Sequence, residues 1–296
     1  MNRPLLTLAL AGLACPAFAD TVTVDTATGP VEVETPVGSV AVYDLAALDT
    51  LDALGVEVTA SINNTYLERL SQYEGDIGTL FEPDFEALNA LSPDLIIAGG
   101  RSSAVVPQLS DFATTLDMTI PTEGQLDTIL ARIDTYGEIF GLRDAAADLR
   151  DELDSALDAT ADAVADKGDM LIVMTNGTNV SAYGAASRFG WLHTATGLPE
   201  ASSDIDDTTH GEAISFEFIR EIDPDWLFVI DRGAAIGQEG PSAEATLDNA
   251  LVRETTAWET GQVIYLNSAE LYITGGGAQS TLNTLETIRS AFGSNS

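Results

Sequence analysis

The chain has 296 residues, of which 45% are hydrophobic, so it is long enough for one large domain or for two lobes of ordinary size. It carries 47 Asp and Glu residues against 12 Lys and Arg residues, which gives a formal net charge of −35. This charge argues against nucleic acid and anionic membrane surfaces as partners. The apolar periodicity that persists along the chain argues against a disordered protein.

The first twenty residues, MNRPLLTLALAGLACPAFAD, predict a secretory signal peptide with cleavage before Asp20. Their apolar run is too short to form a permanent membrane anchor. Cys15 leaves a lipid anchor open as the alternative, although Gly12 stands where a lipoprotein signal usually has leucine. Because Cys15 is the one cysteine of the chain, the mature protein would have no disulfide, thiolate metal site or cysteine nucleophile.

The first half of the mature chain predicts strands that alternate with helices. Residues 21–34 alternate apolar and polar side chains around a Gly-Pro turn, which is typical of a hairpin. Short β-rich runs follow at 39–45, 56–60 and 94–99. Residues 84–94 have an amphipathic helical period that ends at a Ser-Pro break. This alternation predicts a parallel sheet flanked by helices.

The second half predicts two helices and then a further set of strands. Residues 125–140 and 143–167 have helical patterns divided at Gly141, and the second helix ends at Lys167-Gly168. Runs typical of buried strands then alternate with helices, at 170–177, 225–231 and 262–267.

We therefore expect an α/β protein of two lobes joined by one long helix. The predicted parts are the signal peptide at 1–19, an N-terminal lobe at 20–140, a connecting helix at 141–168 and a C-terminal lobe at 169–296. No tandem repeat or flexible linker is apparent. A stiff helical connector allows only limited motion of the lobes.

Three arginines lie at or just beyond predicted strand ends, which is where open α/β sheets bind ligands. Arg101 and Arg232 each follow a buried strand, and Arg188 follows the short β-rich run at 180–184. A guanidinium donates in a fixed fork and stays charged, so converging arginines suit an anionic, oxygen-rich ligand. The alternative is that each is a surface arginine paired with one of the many carboxylates.

His210, in the polar loop DDTTHGEAIS, and Tyr272, after the strand at 262–267, are candidate metal ligands. Imidazole and phenolate suit an ion such as Fe(III). Two side chains cannot fill an octahedral shell, so the ion would have to arrive already held by a chelator. The alternatives are a surface or capping histidine and a half-buried packing tyrosine. His193 lies on an amphipathic segment, and we expect it to be structural.

The chain has no hydrolase or zinc-site motif. It lacks G-x-S-x-G, H-E-x-x-H and C-x-x-C patterns. The segment GGGAQST at 275–281 has no Walker lysine, and its simpler role is a flexible turn and helix start. A secreted metal-dependent enzyme, with its site assembled from loops, stays open as an alternative class.

Five segments carry a resemblance to a known family. They are FEPDFEALNALSPDLIIAGGRSS (81–103), SAYGAASRFGWLH (181–193), THGEAISFEFIREIDPDWLFVIDRGAA (209–235), LDNALVRETTAW (247–258) and VIYLNSAELYITGGG (263–277). They resemble the periplasmic siderophore-binding proteins of ABC importers, and among these the enterochelin- and petrobactin-type binders of ferric catecholates. The similarity runs in order through residues 38–292.

The resemblance implies two α/β lobes with a ferric siderophore as ligand in the cleft and with no intrinsic cofactor. The arginines that match Arg101, Arg188 and Arg232 would line the cleft and neutralise the anionic catecholate. The side chains that match His210 and Tyr272 would complete the coordination of iron when the siderophore supplies only four donors. Where the family often has an aromatic pair, this chain has a leucine before the tyrosine.

The resemblance also implies a binding protein rather than an enzyme, a monomer that delivers its ligand from the periplasm to an inner-membrane ABC permease. Glu86 and Glu217, if exposed at the lobe tips, would pair with arginines of the permease. The alternative on the same scaffold is a haem or corrinoid binder with Tyr272 or His210 as axial ligand. Such a binder would not need three arginines.

Overall fold

The computed structural model describes residues 20–205 and 211–294, so the predicted signal peptide lies outside the described residues. The strands are β1 (Asp20–Thr26), β2 (Gly29–Thr35), β3 (Val40–Val42), β4 (Ala60–Ser61), β5 (Leu95–Ala98), β6 (Thr114–Asp117), β7 (Met170–Asn176), β8 (Asn179–Tyr183), β9 (Glu212–Ile214), β10 (Trp226–Asp231) and β11 (Val263–Tyr265). The helices are α1 (Leu45–Ala53), α2 (Phe85–Leu91), α3 (Val106–Leu109), α4 (Gln125–Ile139), α5 (Arg143–Val164), α6 (Trp191–Thr196), α7 (Phe216–Ile222), α8 (Arg232–Ala235), α9 (Ala243–Leu247), α10 (Thr256–Glu259), α11 (Ser268–Tyr272) and α12 (Ala278–Ser294). Three short 3-10 helices complete the set, at Glu68–Tyr73, Gly100–Val105 and Val252–Glu254.

A four-stranded parallel sheet, in the order β4-β3-β5-β6, forms the centre of the N-terminal lobe. Every residue of β5 is buried, as expected for a parallel strand that is covered on both faces. The prediction of a strand at 56–60 is wrong over most of this range, because only Ala60 and Ser61 pair with β3. Val56 instead donates its backbone N–H to the carbonyl of Leu51 at 2.9 Å, which closes the end of α1.

The predicted hairpin is confirmed as the antiparallel pair β1-β2. Its turn differs from the predicted Gly-Pro turn, because Thr26 pairs with Gly29 and the two residues between them make the reversal. Gly29 has a φ of 114° and opens the second strand, and the hydroxyl of Thr26 donates to its carbonyl at 2.6 Å.

The C-terminal lobe contains a mixed five-stranded sheet in the order β11-β10-β7-β8-β9. Strands β7, β10 and β11 run parallel, whereas β8 is antiparallel to both of its neighbours. The strands predicted at 170–177, 225–231 and 262–267 are confirmed, and so is the α/β class.

Helix α5 leads from one sheet to the other and lies within the predicted connector. It packs against α4, α6 and α12, and it buries Leu149 and Leu153 among them. The numerical boundaries of the two lobes stay a prediction. Within the described residues, no helix combines the length and the apolarity that crossing a membrane requires.

The two lobes contain the same arrangement of helix, turn and strand, at 84–101 in the N-terminal lobe and at 215–232 in the C-terminal lobe. In each copy a side chain caps the start of the helix, and the helix ends at a residue in the left-handed region. Pro-Asp, then β5 or β10, and then Arg101 or Arg232 follow. The two arginines therefore occupy equivalent places in the two lobes. The two copies share mainly these caps and end residues, which is why no tandem repeat is apparent in the sequence.

A buried polar junction fixes the C-terminal helix to the N-terminal lobe. Asp49, fully buried on α1, accepts hydrogen bonds from the backbone N–H and the hydroxyl of Ser280, both at 3.0 Å, and pairs with Arg69. Its carboxylate thus lies at the N-terminal end of α12, where the helix dipole favours negative charge. A Cβ at Gly277 would collide with this carboxylate, so the position requires glycine.

We expect the substitution Asp49→Ala to lower the free energy of unfolding by about 3 kcal/mol, because it removes the buried carboxylate that pairs with Arg69, leaves only the longer contact of Arg69 with Asp52, and uncaps α12. Chemical denaturation measures this loss. The matched control is Glu138→Ala, which breaks an exposed pair with Arg143 and should cost less than about 1 kcal/mol. Equal losses in the two variants would contradict the role of the junction.

Candidate ligand-binding site

A cavity of about 440 Å³ lies between the two lobes. Its N-terminal wall comes from the carboxyl ends of β3, β5 and β6 and from the start of α4, and its C-terminal wall comes from the loop before α6 and from α11. The lining includes Tyr43–Ala46, Gly99–Arg101, Thr119, Ile120, Thr122, Gln125, Ile129, Arg188, Trp191, Leu271–Ile273, Gly275 and Gly276. This is the sheet edge at which open α/β folds bind ligands, and the volume suits a small molecule.

Three arginines converge on Tyr272 at this cavity. Arg101 and Arg188 donate to the backbone carbonyl of Tyr272, the latter at 3.2 Å, and Arg232 Nε donates to its hydroxyl at 3.1 Å. The guanidinium carbons of Arg101 and Arg188 each lie 4.7 Å from the centroid of the tyrosine ring, and that of Arg232 lies 5.7 Å away. These are cation–π distances. The structure thus brings Arg101, Arg188, Arg232 and Tyr272 together, whereas His210 lies outside the described residues.

Among the described residues, none of these three arginines forms an ion pair with a carboxylate, although most of the other arginines do. The alternative stated above, in which each of the three is a surface arginine paired with a carboxylate, therefore does not hold among the described residues. Among the described residues, the positive charge of these three guanidiniums is therefore not neutralised by a carboxylate.

The pKa shifts at the site reflect this excess of positive charge. Burial alone would raise the pKa of the Tyr272 hydroxyl. The hydrogen bond from Arg232 and the positive charges of Arg232 and Arg101 act in the opposite direction and are stronger together. The pKa of Tyr272 is therefore lowered. Burial and the charge of Arg101 lower the pKa of the Arg188 guanidinium. An anion placed among the three arginines would relieve their mutual repulsion.

Strand β6 holds the loop that carries Arg101. The backbone N–H of Gly100, whose φ is 55°, donates to the hydroxyl of Thr119 at 2.8 Å. That hydroxyl donates in turn to Oδ1 of Asp117 at 2.6 Å. Arg101 is thereby fixed at the end of β5 and reaches across the cleft to the carbonyl of Tyr272.

The loop that carries Arg188 is held by close packing and by a contact from the opposite lobe. A Cβ at Gly190 would collide with the carbonyl oxygen of Ala185, so this turn requires glycine. The ring of Phe189 packs edge to face on Tyr183, with centroids 4.8 Å apart. From the other side of the cleft, Gln125 Nε2 donates to the carbonyl of Arg188 at 3.1 Å.

Arg232 is the first residue of α8. The side chain of Asp231 caps this short helix by accepting from the N–H of Ala234 at 2.9 Å. The Nη1 atom of the same guanidinium donates to Oδ1 of Asn176 at 3.3 Å. Asn176 lies at the end of β7. Arg232 does not line the cavity itself, and it approaches the cavity through Tyr272.

Sequence reasoning missed β6 and the cavity-lining residues beyond it, Thr119 and Gln125. The strand reads TTLD, which has no apolar run. The long segment between the predicted strand at 94–99 and the predicted helix at 125–140 was the sequence signal for an additional strand. Trp191 is buried and also lines the cavity.

The remaining polar candidates lie outside the cavity. His193 is buried, and its Nδ1 bonds the carbonyl of Leu198 at 3.0 Å, which fits a structural residue. Glu86 and Glu217 are exposed in the first turns of α2 and α7, at equivalent places in the two lobes. Within residues 20–205 and 211–294, no group of three or more His, Cys, Asp or Glu side chains is arranged to hold a metal ion.

Comparison with known proteins places this geometry among binding proteins. Residues 40–270 match the periplasmic binding protein family. The chain is 35% identical over 258 residues to the petrobactin-binding protein YclQ of Bacillus subtilis, which covers 84% of this chain and 81% of the relative. It is 30% identical over 245 residues to the ferric-anguibactin-binding protein FatB of Vibrio anguillarum, with coverage of 79% and 76%.

Two solved structures of binding proteins are also similar to this chain. The crystal structure of YclQ superimposes with a TM-score of 0.87 at 32% identity, over 92% of this chain and 99% of that one. The periplasmic catecholate-siderophore binding protein VctP of Vibrio cholerae superimposes with a TM-score of 0.86 at 30% identity, over 92% of this chain and 100% of that one.

We expect Tyr272 to ionise before the tyrosines whose pKa burial raises to about 12, namely Tyr73, Tyr183 and Tyr265. Phenolate absorbance during an alkaline titration measures this order. The phase with the lowest pKa should disappear in Tyr272→Phe and move to higher pH in Arg232→Met. Because folding lowers this pKa, ionisation stabilises the fold above the unfolded value of about 10, and that stability is lost as pH falls through the folded pKa.

The control for this titration is Tyr265→Phe, which should remove only a late phase. A first phase that persists unchanged in Tyr272→Phe would contradict the electrostatic account of the site.

Proposed function

The chain belongs to the periplasmic binding protein family, and from this premise we propose that it captures a ferric catecholate-type siderophore and delivers it to an inner-membrane ABC permease for iron uptake. The ligand would occupy the cavity between the lobes. On this proposal the protein binds and releases its ligand and performs no chemistry on it.

The observation that carries the proposal is the meeting of three arginines, none of them paired with a carboxylate among the described residues, at the cavity between the lobes. Deprotonated catecholates around Fe(III) present an anionic, oxygen-rich surface, which is what converging guanidiniums bind best. The names of the relatives agree with this ligand class, since they refer to petrobactin, ferric anguibactin and catecholate siderophores.

Tyr272 has the chemistry of an iron ligand as well as that of a partner for the arginines. It lines the cavity, and its lowered pKa favours the phenolate, the form that binds Fe(III). Together with His210 it would supply the two donors that a four-donor siderophore leaves vacant on octahedral iron. The iron is cargo here and arrives inside the chelate.

Residues 1–19 would direct export to the periplasm and be removed before Asp20, with a lipid anchor at Cys15 as the alternative. The exposed Glu86 and Glu217, one on each lobe, would pair with arginines of the permease. Their equivalent positions offer such a partner one acidic contact from each lobe.

The test is a titration of the mature protein, residues 20–296, with a ferric tetradentate bis-catecholate. Because Trp191 lines the cavity, we expect saturable quenching of tryptophan fluorescence together with a shift of the visible charge-transfer band. Tyr272→Phe should remove the shift. His210→Ala should weaken binding of this four-donor complex by about ten-fold, and should weaken binding of a six-donor ferric catecholate much less.

Quenching without a band shift would keep the siderophore and contradict direct coordination. Equal losses for four-donor and six-donor complexes would contradict the role of His210. A response to haem but none to either ferric catecholate would overturn the proposed ligand class in favour of a haem binder.

A further inference from the structure

The wall of the ligand cavity carries a carboxylate as well as the arginines. Asp44 follows β3 and caps the start of α1 with its Oδ1 atom, which accepts from the N–H of Ala46 at 3.0 Å. Its Oδ2 atom lies beside the end of β5, since a Cβ at Gly99 would be 2.8 Å from it. Among the described residues, Asp44 is the only acidic residue that lines the cavity, whereas Arg101 and Arg188 line it as cations.

The side chain of Asp44 meets the open space of the cavity. The whole residue is 8% exposed and its side chain is 11% exposed, so the exposed area belongs to the side chain rather than to the backbone. The neighbouring Tyr43, Leu45 and Gly99 also line the cavity and are buried. The open space that the carboxylate meets is therefore the cavity, and a ligand bound there can reach it.

The Oδ2 atom of Asp44 is an unused acceptor. No hydrogen bond from the described part of the chain reaches it, because Nη1 of Arg132 lies 3.9 Å away, which is too far. That Nη1 atom is sealed from solvent and has no partner, whereas Oδ2 is not sealed in this way.

The charge of this carboxylate is only partly compensated. Burial raises the pKa of the Asp44 carboxyl, against the opposing effects of the Arg132 charge and of the backbone N–H groups of Ala46 and Ala47. A positive group of a ligand beside Oδ2 would therefore stabilise the ionised carboxylate.

We propose that Asp44 accepts a hydrogen bond from a protonated amine of the ligand, so that the cleft binds ferric chelates that carry an ammonium group as well as anionic catecholates. The inference rests on the proposed function and narrows the class of ligand. Arg101 and Arg188 contact the anionic oxygens of the chelate, and Asp44 contacts its ammonium group. A charged donor suits this carboxylate better than a neutral one, because charge-assisted hydrogen bonds are the stronger kind.

The test uses two ferric bis-catecholates whose linkers differ at one position, which is a secondary amine in one probe and a methylene group in the other. An alkyl amine, like that of lysine, is protonated at pH 7. The arginines alone would favour the methylene probe, because it carries one more net negative charge, and its linker also loses less hydration. We nevertheless expect wild type to bind the amine probe about ten-fold more tightly, the effect of a charge-assisted hydrogen bond to Asp44.

Asp44→Asn should reverse this preference, so that the methylene probe binds more tightly. Asparagine also caps helices, so α1 keeps its cap. The matched control is Asp84→Asn, which makes the same change at the cap of α2, on an exposed residue outside the cavity, and should keep the wild-type preference. An amine preference that persists in Asp44→Asn would overturn the proposal.

Asp44→Ser, which also keeps a capping side chain, replaces Asp44→Asn if that variant fails to fold, with the same expected reversal. Two outcomes in wild type are decisive without any variant. Binding of the methylene probe as tightly as the amine probe, or more tightly, would overturn the role of Asp44 and leave the proposed function standing. Binding of neither probe would overturn the proposed function itself.

Discussion

Three guanidiniums gathered around a single tyrosine impose the constraint that the rest of this structure satisfies. Like charges repel, and each loses part of its hydration when it enters a cleft. The ring face, the hydroxyl and the backbone carbonyl of Tyr272 provide neutral partners that offset this cost. A carboxylate would offset it more strongly but would cancel the charge. The site therefore keeps an excess of positive charge.

The fold supplies these groups from both lobes. Arg101 and Arg232 end equivalent units of helix, turn and strand, so the two lobes approach Tyr272 with equivalent donors. The tyrosine ends α11, and a glycine-rich turn leads from it into α12. Asp49 binds the start of α12 from the N-terminal lobe. The tyrosine is thus held between the lobes, where its contacts depend on their relative position.

Much of this architecture is predictable from the sequence, because strong local patterns carry it. The long helix α5 and the buried strands β5, β7 and β10 show clear periodicity, and the arginines follow strand ends. What the sequence does not reveal depends on contacts between distant segments. Gln125 resembles any helix-starting residue until Arg188 is seen across the cleft. Strand β6 has too few apolar residues to be recognised, so its neighbours at the cavity were missed. The convergence on Tyr272 likewise arises only when the two lobes meet.

We infer that the cleft selects negatively charged ligands, although the protein itself has a net charge of −35. Salt screens the distant surface carboxylates over about 8 Å, whereas Arg101 and Arg188 line the cavity and would contact the ligand. The most direct measurement compares the dissociation constants of two four-donor ferric chelates of opposite charge, an anionic bis-catecholate and a cationic bis-hydroxamate. We expect the anionic complex to bind at least about 100-fold more tightly, because it can accept charge-assisted hydrogen bonds from two guanidiniums. Equal affinities, or tighter binding of the cationic complex, would contradict this inference.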